Sequence, residues 1–273
     1  MGSRPWWPGS RRVDTQRFDS GLDVRVEAEG LGFEYGPGIV GPVPEMRRLD
    51  DIRPSLRDPH CAGPDPVYGI AMDVCKEADA EELKLHSLLF GVVAYAAGRL
   101  GEEPVRSQGH IHAIAPHCGW STPEIFEIWE GRAIVYLQEF AEDNPGRCFA
   151  IAAGPGDQVV APPNWAHCVI NASESERMVF GALCERQYGF VYDGVRRHGG
   201  LAWFPLFREG EIAWQSNPRY RRSTLKEQEP RAYTELGLKA DVSLYHQYIA
   251  NPEALKWVSE PARLCELWTS FEP

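Results

Sequence analysis

The sequence lacks an apolar run of about 18 residues, so it offers no segment long enough to cross a membrane as a helix. It also lacks a basic stripe. Its 273 residues contain 28 Lys and Arg against 39 Asp and Glu, and the formal net charge is −11. Nucleic-acid binding needs clustered basic residues to neutralise phosphates, and here they recur only in short pairs such as Arg47-Arg48. A membrane protein and a nucleic-acid-binding protein are therefore not expected.

The seven cysteines include no CxxC pair. This argues against a disulfide framework and for reduced thiols, which predicts a cytoplasmic protein. Residues 1–12 lack the apolar segment of a signal peptide, and residues 1–22 are expected to form a flexible leader.

Short apolar segments separated by Gly-, Pro- and Asp-rich turns predict a β-sandwich or barrel over residues 23–215. Strands are predicted at 67–74, 88–97, 125–129, 133–138, 149–152, 159–161, 168–171 and 178–183. Residues 216–273 carry prolines between segments of helical spacing. We expect them to form a mostly helical or irregular extension packed on the barrel.

Residue types that bind metals occur as an ordered series: His110 and His112, then Glu124, then His167 after two prolines. Histidines two residues apart point to the same face of a strand. Three imidazoles and one carboxylate suit a divalent ion such as Fe, Mn, Ni or Zn, with room left for water or substrate.

Three segments around these residues resemble the cupin-type glucose-6-phosphate isomerases: GHIH at 109–112, EIFEIWEG at 124–131 and PPNWAHCVIN at 162–171. RRLDD at 47–51 and GRLGEE at 98–103 are similar to further family segments. The resemblance implies an all-β cupin, which is a double-stranded β-helix or jelly-roll barrel. It also implies N-terminal extension strands, a C-terminal tail like that of the longer bacterial members, and a homodimer.

The resemblance further implies that His110, His112, Glu124 and His167 are the metal ligands. Glu127 lies near Glu124 but faces the opposite side of a strand. A match of the following Gly131 to the family's turn glycine places Glu124 in register. One divalent metal ion is expected, Fe²⁺ first, with Mn²⁺, Ni²⁺ and Zn²⁺ as alternatives.

By the same resemblance, we expect a metal-dependent aldose–ketose isomerase that interconverts glucose 6-phosphate and fructose 6-phosphate. The path would run through a cis-enediol(ate) whose oxygens the metal binds, and a hydride shift is the alternative path in this family. Glu124 is the expected base, and Tyr188 the expected partner for proton transfer between oxygens. Arg132 is a further phosphate-binding hypothesis, because guanidinium groups suit phosphate. The predicted substrate-binding residues are Ser107, Gly109, Gln138, Arg106 and Arg186.

The chain departs from the family pattern around the substrate. Val93 aligns with a threonine that helps to hold the sugar phosphate, Cys184 with a tyrosine and Arg186 with a histidine, while Phe126 replaces a further tyrosine. His117 lies in what resembles an insertion, as a lid residue or a solvated loop histidine. The alternatives are therefore a cupin metalloenzyme for another sugar or sugar phosphate (an isomerase or epimerase of a specialised pathway), an Fe-dependent dioxygenase, and a non-catalytic sugar-binding cupin.

Overall fold

Two facing β-sheets form the centre of the computed structural model, which describes residues 18–187 and 189–273. The strands are β1 (Val24–Val26), β2 (Phe33–Tyr35), β3 (Ile39–Val40), β4 (Glu45–Arg47), β5 (Tyr68–Met72), β6 (Cys75–Lys76), β7 (Leu88–Tyr95), β8 (Arg99–Leu100), β9 (Glu103–Pro104), β10 (Ile111–His112), β11 (Ile114–Ala115), β12 (Trp120–Ser121), β13 (Glu124–Glu130), β14 (Ala133–Gln138), β15 (Cys148–Ala153), β16 (Gln158–Ala161), β17 (Ala166–Asn171), β18 (Met178–Glu185), β19 (Phe190–Val191), β20 (Trp203–Arg208), β21 (Glu211–Ser216) and β22 (Leu225–Gln228). The α-helices are α1 (Leu49–Ile52), α2 (Ala80–Leu85), α3 (Asp193–Arg197), α4 (Leu244–Ala250) and α5 (Cys265–Ser270). The 3₁₀ helices are Arg53–Ser55, Glu77–Asp79, Thr234–Leu236, Pro252–Val258 and Pro261–Leu264.

The larger sheet has six strands in the order β16-β13-β18-β7-β5-β4, and the other has four in the order β17-β14-β15-β22. Neighbours pair antiparallel, except that β22 lies parallel to β15. From β13 to β18 the chain crosses between the two sheets four times, with β14 and β15 paired as neighbours in the smaller sheet, as in a jelly roll. The predicted all-β barrel is confirmed, and the prediction for 133–138 coincides with β14.

The space between the sheets is filled by one apolar cluster, to which Phe126 and Phe180 of the larger sheet and Val135 and Val169 of the smaller sheet belong. Both sheets are also covered on their outer faces. Strands buried on both faces read as continuous apolar runs instead of alternating patterns. This explains the uninterrupted apolar run of β7, in which every residue is buried.

The C-terminal extension packs on the outer face of the six-stranded sheet. Tyr245, Tyr248 and Trp257 share a buried cluster with Leu88 and Phe90 of β7. The extension contains short helices, as expected for a mostly helical tail, together with the strand β22. Pairing of β22 with β15 depends on contacts distant in sequence, and helical spacing gives no sign of it.

Residues 1–17 of the predicted leader lie outside the described residues, whereas Leu22 is buried in the same outer cluster. The boundaries at 22 and 215 stay predictions. Within the described residues, no helix combines the length and hydropathy of a membrane span.

Candidate metal centre

Three strands, β10, β13 and β17, bring the predicted ligands together at one end of the barrel. His110 and His167 exchange backbone hydrogen bonds of 3.1 and 3.0 Å, which join the start of β10 to β17. His112 lies on β10, and Glu124 begins β13. One ligand atom from each of the four side chains lies within 4.8 Å of the others. The structure therefore assembles all four from three separate parts of the sequence.

Hydrogen bonds to backbone carbonyls orient two of the histidine rings. His112 Nδ1 lies 2.9 Å from the Thr122 carbonyl oxygen, and His167 Nδ1 lies 3.0 Å from that of Trp165. A carbonyl accepts and does not donate, so we assign the ring proton to Nδ1 in both. The lone pair of each ring is then on Nε2, which faces the shared centre.

The Nε2 atoms of His110, His112 and His167 are buried and without a hydrogen-bond partner among the described residues. Those of His112 and His167 lie 3.2 and 3.4 Å from Glu124 Oε2. A carboxylate oxygen facing nitrogen lone pairs is repulsive unless positive charge lies between them. A divalent cation meets this requirement, and the donor set fits one.

The pKa values show the same need for positive charge. Burial raises the pKa of Glu124, but His112 and His167, when each carries a second proton on Nε2, outweigh it and lower that pKa to about 2. Burial lowers the pKa of His110, and the positive charges of His167, His112 and Arg47 lower it further. The site thus favours an ionised carboxylate together with a neutral His110, which are the ligand states that metals bind.

Aromatic rings enclose the histidines. The Phe190 ring centre lies 4.3 Å from that of His110, and the Phe126 ring centre lies 5.7 Å from that of His167. Gly109 has φ +86°, and a β-carbon there would lie 2.8 Å from Leu201 Cδ1, so a side chain at this position would strain the backbone next to His110 and push Leu201 aside.

Comparison with known sequences places this centre in a family. A sequence model of the family described as glucose-6-phosphate isomerase (GPI) matches residues 47–222, a range that contains all four candidate ligands. The chain belongs to the glucose-6-phosphate isomerase family. The predicted resemblance is confirmed.

Two relatives, both named glucose-6-phosphate isomerase, align over about 70% of this chain. The protein of Thermococcus kodakarensis is 27% identical over 198 residues, covering 70% of this chain and 96% of its own. The protein of Pyrococcus furiosus is 26% identical over 202 residues, covering 72% and 98%.

Among solved structures, an oxalate oxidase matches with 17% identity and a TM-score of 0.35, covering 46% of this chain and 54% of its own. An oxalate decarboxylase mutant of Bacillus subtilis matches with 20% identity and a TM-score of 0.34, covering 47% and 28%.

Glu127 faces away from the centre, as strand alternation predicts. Its Oε1 accepts hydrogen bonds from the Leu244 amide at 2.6 Å and from Gln158 Nε2 at 3.0 Å, and its Oε2 accepts one from Trp129 Nε1 at 3.0 Å. Burial raises the pKa of Glu127 to about 7, although these hydrogen bonds lower the pKa in part. Glu127 thus joins the barrel to the N-terminus of α4.

Two predicted substrate-binding residues lie beside the centre. Gly109 immediately precedes His110. Ser107 Oγ accepts a hydrogen bond from the Val169 amide at 3.3 Å and interacts with the Tyr95 hydroxyl, so it lies on the inner side of the barrel. Tyr188, the predicted proton-transfer partner, lies outside the described residues.

The predicted arginines are not brought to the centre. Arg106 is buried, donates to Glu103 Oε1 at 2.7 and 2.8 Å, and donates to the Ser55 carbonyl at 2.7 Å. Arg186 forms a two-pronged pair with Asp73 at 2.6 and 2.8 Å. Both guanidinium groups are committed to carboxylates that are not among the four ligands.

Gln138 and Arg132 also lie elsewhere. Gln138 is fully buried on the outer side of β14, where its Oε1 accepts from the Ala202 amide at 2.8 Å and from the Tyr136 hydroxyl at 3.2 Å. Arg132 follows β13, at the end opposite Glu124, and its carbonyl accepts from the Ala172 amide at 2.8 Å.

His117 lies between β11 and β12 and contacts the C-terminal extension. Its Nε2 lies 2.9 Å from the Ser259 carbonyl oxygen, and its Nδ1 lies 3.6 Å from Glu185 Oε1. Its side chain is 29% exposed. His117 therefore anchors the β11–β12 hairpin to the C-terminal extension. This differs from both roles that the sequence suggested, a lid residue and a solvated loop histidine.

Sequence reasoning missed three residues on the inner face of the larger sheet: Arg47, Tyr68 and Tyr95. Arg47 is opposite Tyr68, and Tyr68 is opposite Tyr95, across β4, β5 and β7. The two tyrosine rings stack with centres 4.9 Å apart. Only the strand register brings these residues into one row, and the sequence spacing contains no signal for that register.

Proposed function

We propose that this chain is a metal-dependent aldose–ketose isomerase that interconverts glucose 6-phosphate and fructose 6-phosphate. The observation that carries the proposal is the convergence of three buried imidazole nitrogens and Glu124 in a member of the glucose-6-phosphate isomerase family.

His110, His112, Glu124 and His167 would hold the metal. When bound, a divalent ion supplies a Lewis acid that polarises the sugar carbonyl and offsets negative charge developing on the substrate oxygens. We propose Fe²⁺ as the first candidate, with Mn²⁺, Ni²⁺ and Zn²⁺ as alternatives.

The protein groups would position the sugar and move its protons. Isomerisation transfers one proton between C1 and C2 and another between their oxygens, through a cis-enediol(ate). Glu124 is ionised at neutral pH, as a base must be, and is our candidate for the carbon-bound proton. Tyr188 is our candidate for the transfer between oxygens, while Phe190 and Phe126 limit access of water to the centre.

The test is isomerase activity on fructose 6-phosphate, with glucose 6-phosphate detected by a coupled dehydrogenase. The protein would be stripped of metal and reloaded with each candidate ion. His110→Ala removes one ligand, and His60→Ala is the matched control, because His60 is an exposed histidine outside the cluster. Metal-dependent turnover that survives in H60A and disappears in H110A supports the proposal. Stoichiometric metal binding without turnover by any form contradicts the sugar assignment and leaves the metal centre intact.

The second candidate is an isomerase or epimerase of a different sugar or sugar phosphate. It is favoured by Val93, an apolar residue on the inner face, and by the commitment of Arg106 and Arg186 to structural ion pairs. A substrate panel would distinguish it. Oxygen consumption would separate both from an Fe-dependent dioxygenase.

We further propose a cytoplasmic homodimer. All seven cysteines are free, which agrees with a reducing compartment. Light scattering after size exclusion tests the dimer, and a mass of one chain would contradict it.

A further inference from the structure

One row of side chains crosses the inner face of the six-stranded sheet and ends at Arg47. Directly opposed residues of antiparallel strands project to the same face. Arg47 is opposite Tyr68, which is opposite Tyr95. Both tyrosines belong to the inner core. Arg47 therefore projects from the edge strand β4 toward the barrel interior, with its side chain 27% exposed.

The position of Arg47 is close to the metal centre. Arg47 is directly opposite Tyr68 across β4 and β5, and its charge opposes the rise that burial causes in the pKa of the Tyr68 hydroxyl and helps to lower the pKa of His110. Tyr192 also acts on Tyr68, and its ring centre lies 5.9 Å from that of His110. Arg47, His110 and Tyr192 are each half-buried, so each keeps part of its surface open to solvent.

Other arginines near this end of the barrel are committed to protein groups. Arg106 is paired with Glu103 and Arg186 with Asp73. Arg196 donates from Nε to Gln108 Oε1 at 2.9 Å and stacks 4.8 Å from the Tyr192 ring centre.

Arg47 instead has an exchangeable partner. It lies 3.2 Å from Glu45, which is two residues away on the same strand and 65% exposed. Ion pairs this exposed contribute little to stability. A phosphate dianion offers the guanidinium more charge and two-pronged geometry.

We propose that Arg47 is the phosphate-binding residue of this site. Its guanidinium leaves Glu45 and donates two hydrogen bonds to the phosphate of a sugar phosphate whose carbonyl end lies at the metal centre. The sugar part of this inference rests on the proposed isomerase function. The anion site at Arg47 does not depend on turnover.

The first test compares Arg47→Gln with Arg25→Gln in the metal-loaded protein. Arg25 is a matched control, because it also lies on a three-residue strand and pairs at 3.5 Å with a carboxylate two residues earlier, Asp23. Loss of charged hydrogen bonds in R47Q is expected to raise KM for fructose 6-phosphate by about 10- to 100-fold, with kcat changed far less. R25Q is expected to match the wild type. Glu45→Gln removes the competing carboxylate and is expected to lower KM, a change that loss of structure would not produce.

The second test needs no activity. Phenylglyoxal modifies arginines, and its rate at each arginine is read by peptide mass spectrometry. Inorganic phosphate is expected to slow modification of Arg47 and not of Arg25. Protection of Arg47 without isomerase turnover would support the anion site and contradict the isomerase proposal alone. Equal KM values in R47Q and R25Q, or equal modification rates of Arg47 with and without phosphate, would overturn the role of Arg47.

Discussion

Glu127 is expected to make the stability of this protein fall as pH rises from 5 to 8. Its side chain is only 1% exposed, and burial raises its pKa from 4.5 to about 7. Between these two values the folded protein retains a proton that the unfolded chain releases. The contribution to stability is therefore complete below pH 4.5 and is lost as pH rises through 7. At 1.36 kcal/mol per pKa unit, the loss between pH 5 and pH 8 is about 2–3 kcal/mol.

The assay is urea unfolding of the wild type and of Glu127→Gln at a series of pH values. Glutamine retains an oxygen for the Leu244 amide and does not titrate. The difference in unfolding free energy between the two proteins removes the contributions of other titrating groups, including Glu185, whose pKa burial also raises. We expect this difference to change by about 2–3 kcal/mol across the range. Most of the change should occur between pH 5 and 7. A difference that stays constant with pH would refute the assignment of a raised pKa to Glu127.

Three further predictions concern the metal centre and buried polar groups. Glu124→Gln is expected to lower metal affinity at least tenfold by calorimetry, because the amide oxygen carries no charge to balance the cation; equal affinity would exclude Glu124 as a ligand. Arg106→Met leaves Glu103 buried without its charged partner, with only the Arg57 amide still donating to it. Urea unfolding should therefore show a loss of about 3–5 kcal/mol, while KM stays unchanged in the folded fraction. Asn171→Ala removes amide hydrogen bonds to two backbone carbonyls, those of Ala96 and Glu176. The free energy of unfolding should fall by about 3 kcal/mol, and a loss below about 1 kcal/mol would mean that water replaces the amide.

The sequence was sufficient to predict which four metal-binding side chains cluster and most of the barrel strands. His110 and His112 share a face because of strand geometry alone, and this local rule holds in any sheet. The same rule separates Glu124 from Glu127, which the structure places on opposite faces. Apolar runs such as that of β7 can be recognised in the sequence, because a strand buried on both faces needs apolar residues at successive positions.

The predicted phosphate-binding roles of Arg106 and Arg186 depended on which groups these residues meet in the folded protein. Arg106 and Arg186 have the right charge for a phosphate, but Glu103 and Asp73 lie close enough to engage them. The competition between a carboxylate and a ligand is decided by distances within the folded protein, which residue type does not reveal.

The sequence therefore determined which side chains have metal-binding chemistry and which segments become buried strands, because both follow from residue type and local periodicity. The tertiary structure alone decided that three imidazole nitrogens meet one carboxylate, that Arg47 shares a row with Tyr68, and that Glu127 holds α4. The first two depend on the register between strands distant in sequence, and the third depends on the docking of α4 against β13. Packing of the whole core sets both.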